Sequence, residues 1–386
     1  MARVPHSVDV CPRGGQVARL ALIAGARPNF VKIAAVERAL SARKGIDAPV
    51  VHTGQHYDDE MSAAFFRELE IPEPDVNLGV GSGPHATQTA RIMEAFDGYL
   101  DDADIDLVVV VGDVNSTVAC SLTAVKRQIP VAHIEAGLRS GDWTMPEEIN
   151  RLVTDTLSTL LFTPSRDADE NLAREGKPSD QIHFVGNVMV DTLLRFSDVA
   201  REGSDVLERL SLEPGGYSVL TLHRPGNVDA ADAFGGILEA LSEIGSRTKV
   251  VYPVHPRSMR MLEVTGLRKR ADATPGLMMT KPLGYLDFVA LESSAAFVMT
   301  DSGGVQEETT VLGVPCLTLR PNTERPVTIT EGTNRLVGTG PSEIKRAAAE
   351  ILDGAAASGR GVPELWDGRA AERTADVLEA WSEGPR

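Results

Sequence analysis

The sequence has few cysteines, no long apolar run and a shortage of positive charge. Its 386 residues include only Cys11, Cys120 and Cys316, which are far apart and odd in number. They indicate neither a disulfide framework nor a CxxC metal motif, and a reducing cytoplasm is the compartment that such cysteines favour. No apolar run approaches the ~18 residues of a membrane span. The polar segment 1–15 lacks the hydrophobic stretch of a signal peptide.

Acidic residues outnumber basic ones, 55 against 38, which gives a formal net charge of −17. A nucleic-acid surface needs a basic stripe, so the composition argues against that class of partner. It does not exclude a phosphate ligand, because phosphate sites are built locally from backbone N–H groups and a few cations. At this length, with 42% hydrophobic residues, we expect two globular domains.

Strands alternate with helical patterns along the chain, and residues 106–111 are typical: a continuous apolar run ends at a glycine. Such a run fits a strand buried on both faces. The alternation predicts βαβ units and a doubly wound parallel sheet, an α/β fold, in each half. The predicted strands are 19–24, 48–51, 106–111, 130–134 and 160–163 (the last of the first half), then 217–221, 249–254, 277–279, 296–300 and 316–319; helices are predicted at 30–41, 59–69 and 370–381.

We expect residues 1–17 to be a flexible extension, 18–187 an N-terminal domain and 188–368 a nucleotide-binding domain. The helix within 369–386 is expected to pack back across the hinge. In open parallel sheets, ligands bind outside the carboxyl ends of the strands. Residues at such ends therefore predict one cleft shared by the two domains; they are Arg27, Asp113, Glu135, His223, His255 and Ser302.

The strongest local motif is Ser302-Gly303-Gly304, which follows a predicted strand and opens a helix. Small residues let the backbone approach a phosphate, and a helix N-terminus supplies N–H donors and positive potential. Glu308, one turn further on, is suited to accept hydrogen bonds from ribose hydroxyls. Arg325, in the next loop, is a cation that could close on a diphosphate. A tight turn with solvated acids is the alternative that local sequence leaves open.

Glu147 lies just after Pro146. Both residue types are common at a helix N-terminus, which is a sufficient structural explanation for them. Yet Glu147, Arg151 and Asp155 share one helix face at i, i+4 and i+8. An acid on a rigid helix also suits proton transfer. Spacing alone leaves both interpretations open.

Histidines at strand ends, His223 and His255, are candidates for proton exchange or phosphate contact. The pair His52 and His56 has no third suitably spaced ligand, so no metal site is expected. No GxGxxG follows the first strand, which weakens a dinucleotide interpretation, and no GxSxG elbow is present.

Taken in order, nine segments resemble the non-hydrolysing UDP-N-acetylglucosamine 2-epimerases. They span about residues 20–380 and read ARPNFVKIAAV, HTGQHYDDEM, VGDVNSTVA, HIEAGLRSGDWTMPEEINR, GNVMVDTL, TLHRPGNVD, YPVHP, TDSGGVQEETTVLGVPCLTLRPNTERP and EGTNRLVG. The resemblance implies the GT-B fold, with two Rossmann-like domains facing across a cleft. It also implies a homodimer that interconverts UDP-GlcNAc and UDP-ManNAc without a cofactor.

In that family UDP leaves C1 as C2 loses its proton, and UDP then adds back to the resulting 2-acetamidoglucal. The catalytic acids map to Asp113, Glu135 and Glu147, and the catalytic-site histidine to His223. Candidate substrate contacts are Arg27, Lys32, Arg151, His255, Ser302, Gly303, Gly304, Glu308 and Arg325, with Phe288 near the uracil.

The chain departs from the family at Asn29, where many members have Glu, and in the run 223–227. Asp58 and Thr87 replace residues that hold a second, regulatory UDP-GlcNAc in some members, so activation by substrate is not expected. One alternative function is a transferase on the same scaffold that captures the sugar C1 cation with another nucleophile. A hydrolysing epimerase and a sugar-nucleotide sensor are further alternatives, and the intact acids argue against the sensor.

Overall fold

The computed structural model describes residues 17–55, 68–71, 73–354 and 361–384, and for Arg27 the backbone alone. The chain forms two compact units, Met1–Thr192 with Asp367–Arg386, and Leu193–Trp366. The expected extension 1–17, except Val17, and most of the expected helix 59–69 lie outside the described residues.

In the part of the first unit that the structure describes, eight parallel strands form one sheet. They are β1 Ala18–Ala24, β2 Ile46–Asp47, β3 Val50–His52, β4 Val76–Asn77, β5 Leu107–Val111, β6 Val131–Ile134, β7 Leu160–Thr163 and β8 Ile182–Phe184. The order is β4-β3-β1-β5-β6-β7-β8, with β2 beside β1. β5 is buried along its whole length, as its apolar run predicts.

The helices of this unit are α1 Arg27–Ser41, α2 His85–Asp102, α3 Asn115–Lys126, α4 Pro146–Leu157 and α5 Arg166–Arg174, followed by α6 Val188–Gly203, which continues past the unit boundary. The prediction that residues 160–163 form the last strand of this half is wrong. β8 follows and pairs with β7 in parallel. Its three residues are all half-buried, and its sequence, Ile-His-Phe, is too short and mixed to form a recognisable apolar run.

The second unit has a six-stranded parallel sheet in its described residues, built from β9 Tyr217–Thr221, β10 Lys249–Pro253, β11 Leu277–Thr280, β12 Phe297–Thr300, β13 Cys316–Thr318 and β14 Asn334–Leu336. The order is β11-β10-β9-β12-β13-β14. Its helices are α7 Val206–Arg209, α8 Pro225–Val228, α9 Ala231–Ile244, α10 Pro256–Val264, α11 Arg268–Asp272, α12 Tyr285–Ser293, α13 Gly303–Leu312, α14 Val327–Thr330 and α15 Pro341–Leu352.

The C-terminal helix, α16 Ala370–Glu383, belongs to the first unit and packs along α1. Arg43, beyond the end of α1, pairs with Asp376 (2.5 Å) and Glu379 (3.1 Å). Asp191 accepts the backbone N–H groups of the first two residues of α16, at 3.1 and 2.6 Å. A carboxylate at a helix N-terminus stabilises the helix end, so these contacts fix α16 on the first unit.

Candidate active site

The residues of interest in the first unit lie at the carboxyl ends of β1, β5 and β6. Glu135 directly follows β6, and its carboxylate accepts a hydrogen bond of 2.5 Å from the Lys32 ammonium on α1. Both side chains are buried, with exposed fractions of 7% for Lys32 and 3% for Glu135. Glu135 has a φ of +68°, which costs a non-glycine residue energy and is typical of functional sites.

Gly112, between β5 and Asp113, makes room for this ion pair. A Cβ at Gly112 would lie 3.2 Å from the Glu135 carboxylate and 3.9 Å from the Lys32 ammonium. Its φ of +68° is also one that L side chains rarely adopt. Space and backbone conformation therefore both call for glycine at this turn.

Asn29, one of the departures from the family pattern, is buried and joins α1 to β5. Its side-chain oxygen accepts the backbone N–H of Ala26 (2.9 Å), and its amide donates to the carbonyl of Val111 (3.0 Å). An ionised Glu could accept the first of these bonds but could not donate the second. The departure thus has a structural explanation within the first unit.

Arg151, fully buried on α4, connects two acids. Its guanidinium donates two hydrogen bonds to Glu148, one turn earlier on α4, at 2.7 and 3.1 Å. It also donates to Asp113, which follows β5. Glu148 also accepts the backbone N–H groups of Ser140 and Gly141. Burial raises the pKa of Glu148, but these N–H groups and Arg151 outweigh it and hold the pKa below its ordinary value.

The two neighbouring acids on α4, Glu147 and Glu148, differ in their contacts. Glu148 holds Arg151 and the loop before the helix, which is a structural role. Glu147 is half-buried and takes part in none of the hydrogen bonds or ion pairs between described residues. Arg151, predicted as a substrate contact, is engaged with Asp113 and Glu148, and its contact with substrate stays a prediction.

His133 on β6 and Asp155 on α4 are both fully buried in the first unit and pair with each other. Asp155 lies 2.6 Å from His133 Nδ1 and also pairs with Arg139 (2.7 Å). The other ring nitrogen of His133 donates to the carbonyl of Gly112 (2.8 Å). Burial raises the pKa of Asp155, but His133 and Arg139 hold it below the ordinary value. Asp155 therefore links the turn after β5 to the segment after β6.

A buried amide network closes this end of the sheet. The Gln88 side chain donates to the carbonyls of Gln55 and Gly81, both at 3.0 Å, and accepts from Asn115 (2.8 Å). The Gln55 side chain in turn accepts from Ser116 at 2.7 Å. These amides are engaged within the protein itself, and Asp58 lies outside the described residues.

In the second unit the residues of interest lie at the carboxyl ends of β9 and β12. His223 follows β9, and its Nδ1 is 2.8 Å from the Asp301 carboxylate, which follows β12. His255 follows β10 and caps α10, since its Nδ1 accepts the backbone N–H of Arg257 (3.2 Å). The His223 and His255 rings lie 6.2 Å apart between centroids. The two predicted histidines are therefore neighbours.

Ser302 is the N-cap of α13, and Gly303 and Gly304 are its first residues, as the sequence predicts. Arg325 is not a loose loop cation: it donates to Glu307 at 2.6 Å and to Glu324. A Cβ at Gly303 would lie 2.8 Å from both the Arg325 guanidinium carbon and the Glu324 carboxylate. The glycine thus lets an arginine held by two carboxylates pack against the start of α13.

Glu308 is buried on α13, and a second carboxyl, Glu292 on α12, is buried near it. Neither oxygen of Glu292 has a hydrogen-bond partner among the described residues. Burial, and then the charge of Glu308, raises the pKa of Glu292 well above its ordinary value. Phe288, on the same helix as Glu292, is half-buried at the edge of a core cluster.

Changing Glu292 to Gln is expected to stabilise the protein increasingly as the pH rises. The raised pKa means that the folded chain keeps a proton that the unfolded chain releases. The contribution of Glu292 to stability is therefore complete below about pH 4.5 and is lost as the pH rises through the folded pKa. Thermal unfolding at pH 5 and pH 8.5 measures the Tm difference between Glu292→Gln and the native protein. The exposed Glu263→Gln is the control, and an equal Tm difference for Glu292→Gln at both pH values would contradict the prediction.

Three residues that organise the site are not predicted from the sequence. Asp301, His133 and Glu324 make site-organising contacts, yet none was a candidate. The sequence does indicate a site residue at Asp301, because an acid that directly follows an apolar strand and precedes Ser302 lies at a strand end. Arg27, a candidate, begins α1, but its side chain lies outside the described residues.

Within the described ranges, no three His, Cys, Asp or Glu side chains are grouped as metal ligands, and His56 is not among the residues that this covers. None of the described helices combines the length and the apolar character that a membrane crossing requires.

Residues 38–379 match the model of a protein family described as UDP-N-acetylglucosamine 2-epimerase. The chain belongs to this family. A UDP-N-acetylglucosamine 2-epimerase homolog of Methanococcus maripaludis is 43% identical over 327 residues, which cover 84% of this chain and 90% of that protein. The UDP-2,3-diacetamido-2,3-dideoxy-D-glucuronate 2-epimerase of Pseudomonas aeruginosa is 39% identical over 337 residues, covering 86% and 92%.

Solved structures of the epimerase family have the same fold. The crystal structure of Methanocaldococcus jannaschii UDP-GlcNAc 2-epimerase in complex with UDP-GlcNAc and UDP matches with a TM-score of 0.87 and 39% identity, covering 93% of this chain and 99% of that one. The Neisseria meningitidis epimerase bound to UDP-GlcNAc matches with a TM-score of 0.84 and 30% identity, covering 93% and 99%. The GT-B fold class, with one parallel-sheet α/β domain in each unit, is confirmed.

Proposed function

We propose that this protein catalyses the reversible C2 epimerisation of UDP-GlcNAc to UDP-ManNAc. The observation that carries the proposal is the set of acids at the ends of β5 and β6, in a chain of this family. The C2 proton of the sugar has no adjacent carbonyl, so direct abstraction is prohibitive. Elimination of UDP from C1 with loss of the C2 proton, followed by re-addition, avoids that barrier and needs acid–base groups on both faces of C2.

Glu135 is our candidate for one of these acid–base groups. The buried Lys32 ammonium holds the Glu135 carboxylate in place, and a positioned carboxylate is a group that can accept a proton. Lys32 then acts through Glu135, and its contact with a diphosphate stays a prediction.

Asp113 is our candidate for a second acid–base group. It is only partly buried, with 28% of its side chain exposed, and Arg151 fixes its orientation. Glu147, on the same face of α4 as Arg151, is the third candidate acid.

The second unit, taken by itself, carries groups suited to bind a diphosphate. The start of α13 presents backbone N–H groups and the positive end of a helix dipole. His223 adds an imidazole, and Glu308 on α13 is suited to the ribose hydroxyls. Donors that are fixed before the reaction stabilise developing charge without reorganisation.

Gly303→Ala is expected to weaken UDP binding by about fivefold or more. The added methyl overlaps the guanidinium of Arg325 and the carboxylate of Glu324, so the start of α13 must shift away from its N–H geometry. Overpacking of this kind costs about 1–3 kcal/mol, and calorimetric titration with UDP measures it. Gly203→Ala, where a methyl meets nothing within 4 Å, is the control. Equal UDP affinity in both variants would show that the start of α13 does not bind the diphosphate.

Analysis of the reaction products tests which sugar nucleotide is the substrate. The protein is incubated separately with UDP-GlcNAc and with UDP-2,3-diacetamido-2,3-dideoxy-D-glucuronate, the sugar nucleotide named for the Pseudomonas aeruginosa relative. Proton NMR should show UDP-ManNAc forming from the first until equilibrium is reached. Epimerisation of the second sugar nucleotide alone would overturn the substrate assignment, and epimerisation of neither would favour the transferase alternative.

We further propose a homodimer that works in the cytoplasm. The family resemblance supports the dimer. Cys120 and Cys316 are buried free thiols, as a reducing compartment maintains. Light scattering should report twice the 41.3 kDa of one chain, and the mass of one chain would refute the dimer.

A further inference from the structure

Asp301 organises the loop after β9 from its position after β12. It is fully buried and accepts the backbone N–H groups of His223 (3.1 and 3.2 Å to its two oxygens) and Arg224 (3.0 Å). The side-chain amide of Asn227 is a third donor to this carboxylate, at 3.0 Å. Arg224 Nε also donates to the Asp301 carbonyl (3.0 Å). One carboxylate therefore fixes the backbone on which His223 is carried.

The same carboxylate determines which ring nitrogen of His223 holds a proton. Burial raises the pKa of Asp301, but His223, the Arg224 N–H group and Asn227 outweigh it and keep the pKa below the ordinary value. An ionised carboxylate only accepts hydrogen bonds, so Nδ1, 2.8 Å from Asp301 Oδ1, carries the proton. Nε2 is the ring nitrogen on the far side from Asp301. The His223 side chain is 44% exposed and that of Asp301 is 0% exposed.

We propose that Asp301 is a positioning residue that holds His223 with Nδ1–H toward its carboxylate and Nε2 toward the bound sugar nucleotide. The inference rests on the proposed function, in which His223 contacts the departing diphosphate. A fixed anion behind an imidazole sets its tautomer and holds its orientation, the division of labour between Asp and His in serine proteases. In the protonated form Nε2 is a donor, as stabilisation of a leaving phosphate requires.

Asp301→Asn tests the proposal by its effect on the tautomer. The amide oxygen can still accept the backbone N–H groups, while the amide NH2 then faces Nδ1 and makes that nitrogen an acceptor. The proton of neutral His223 should move to Nε2. Long-range ¹H–¹⁵N correlation spectra of the ¹⁵N-labelled full chain report which ring nitrogen is protonated, and the signals of His223 are those missing in His223→Gln.

We expect protonated Nδ1 in the native protein, unprotonated Nδ1 in Asp301→Asn, and a fall in kcat of at least 100-fold with little change in KM. Asp353→Asn, which removes the charge from an exposed ion pair with Arg247, is the matched control and should change neither readout. Unprotonated Nδ1 in the native protein would overturn the proposal even if Asp301→Asn fails to fold. In Asp301→Asn, an unchanged His223 tautomer would overturn the proposal as well, and so would an altered tautomer with full kcat.

The spectra do not depend on turnover. Protonated Nδ1 in a native protein that epimerises no sugar nucleotide would leave the Asp301–His223 arrangement intact and reject the proposed function.

Discussion

Glu135→Gln is expected to lower kcat for epimerisation by about 100-fold or more while UDP still binds. The substitution keeps the shape of the side chain but removes its ability to accept a proton, and a positioned acid–base group contributes about 10²–10⁴-fold to a rate. Steady-state kinetics with UDP-GlcNAc measure the loss, and calorimetric titration measures UDP binding. Glu94→Gln, an exposed substitution in the same unit, is the control.

Full activity in Glu135→Gln would remove Glu135 from the catalytic acids and leave Asp113 and Glu147. Loss of UDP binding together with activity would instead mean that Glu135 shapes the site. Asp113→Asn, tested in parallel, should also lose most of its activity, because both acids are assigned to proton transfer at C2.

Lys32→Met has the largest expected effect on stability. It leaves the Glu135 carboxylate buried without its counter-charge, and breaking a buried ion pair in this way costs about 3–5 kcal/mol. Urea unfolding measures the change in the free energy of unfolding. Lys345→Met, which breaks an exposed pair with Glu239, should change stability little.

The double variant Lys32→Met with Glu135→Gln isolates the interaction between the two side chains. Because the neutral amide no longer requires a counter-charge, the double variant should recover much of the stability that Lys32→Met loses. Additive losses would contradict a buried ion pair, and would assign the effect of Lys32 to packing of its aliphatic chain.

The sequence predicts the long strands of the fold because their apolar runs are unambiguous, as with β5 and β12. It misses β2, β4, β8 and β14, which have two or three residues each, because strands this short carry no periodic signal. The turn at Ser302 and Gly303 is predicted for a local reason: a strand end, small residues and a helix start are adjacent in sequence.

Pairings between distant residues cannot be obtained in the same way. Lys32 and Glu135 are 103 positions apart, and the backbone bonds from His223 to Asp301 span 78. Lys32, Glu135 and His223 are candidates by their residue types, but only the folded sheets bring each of them to its partner. The structure adds the partner that the sequence does not show: Lys32 is the counter-charge of Glu135, while its contact with a diphosphate stays a prediction.

In the proposed function, this site removes and returns the proton at C2 of a UDP-sugar. The most direct measurement is proton NMR of UDP-GlcNAc incubated with the native protein and with Glu135→Gln in D2O. We expect deuterium at C2 together with UDP-ManNAc for the native protein, and almost none of either for the variant. No exchange at C2 and no new sugar nucleotide with the native protein would contradict the proposed function.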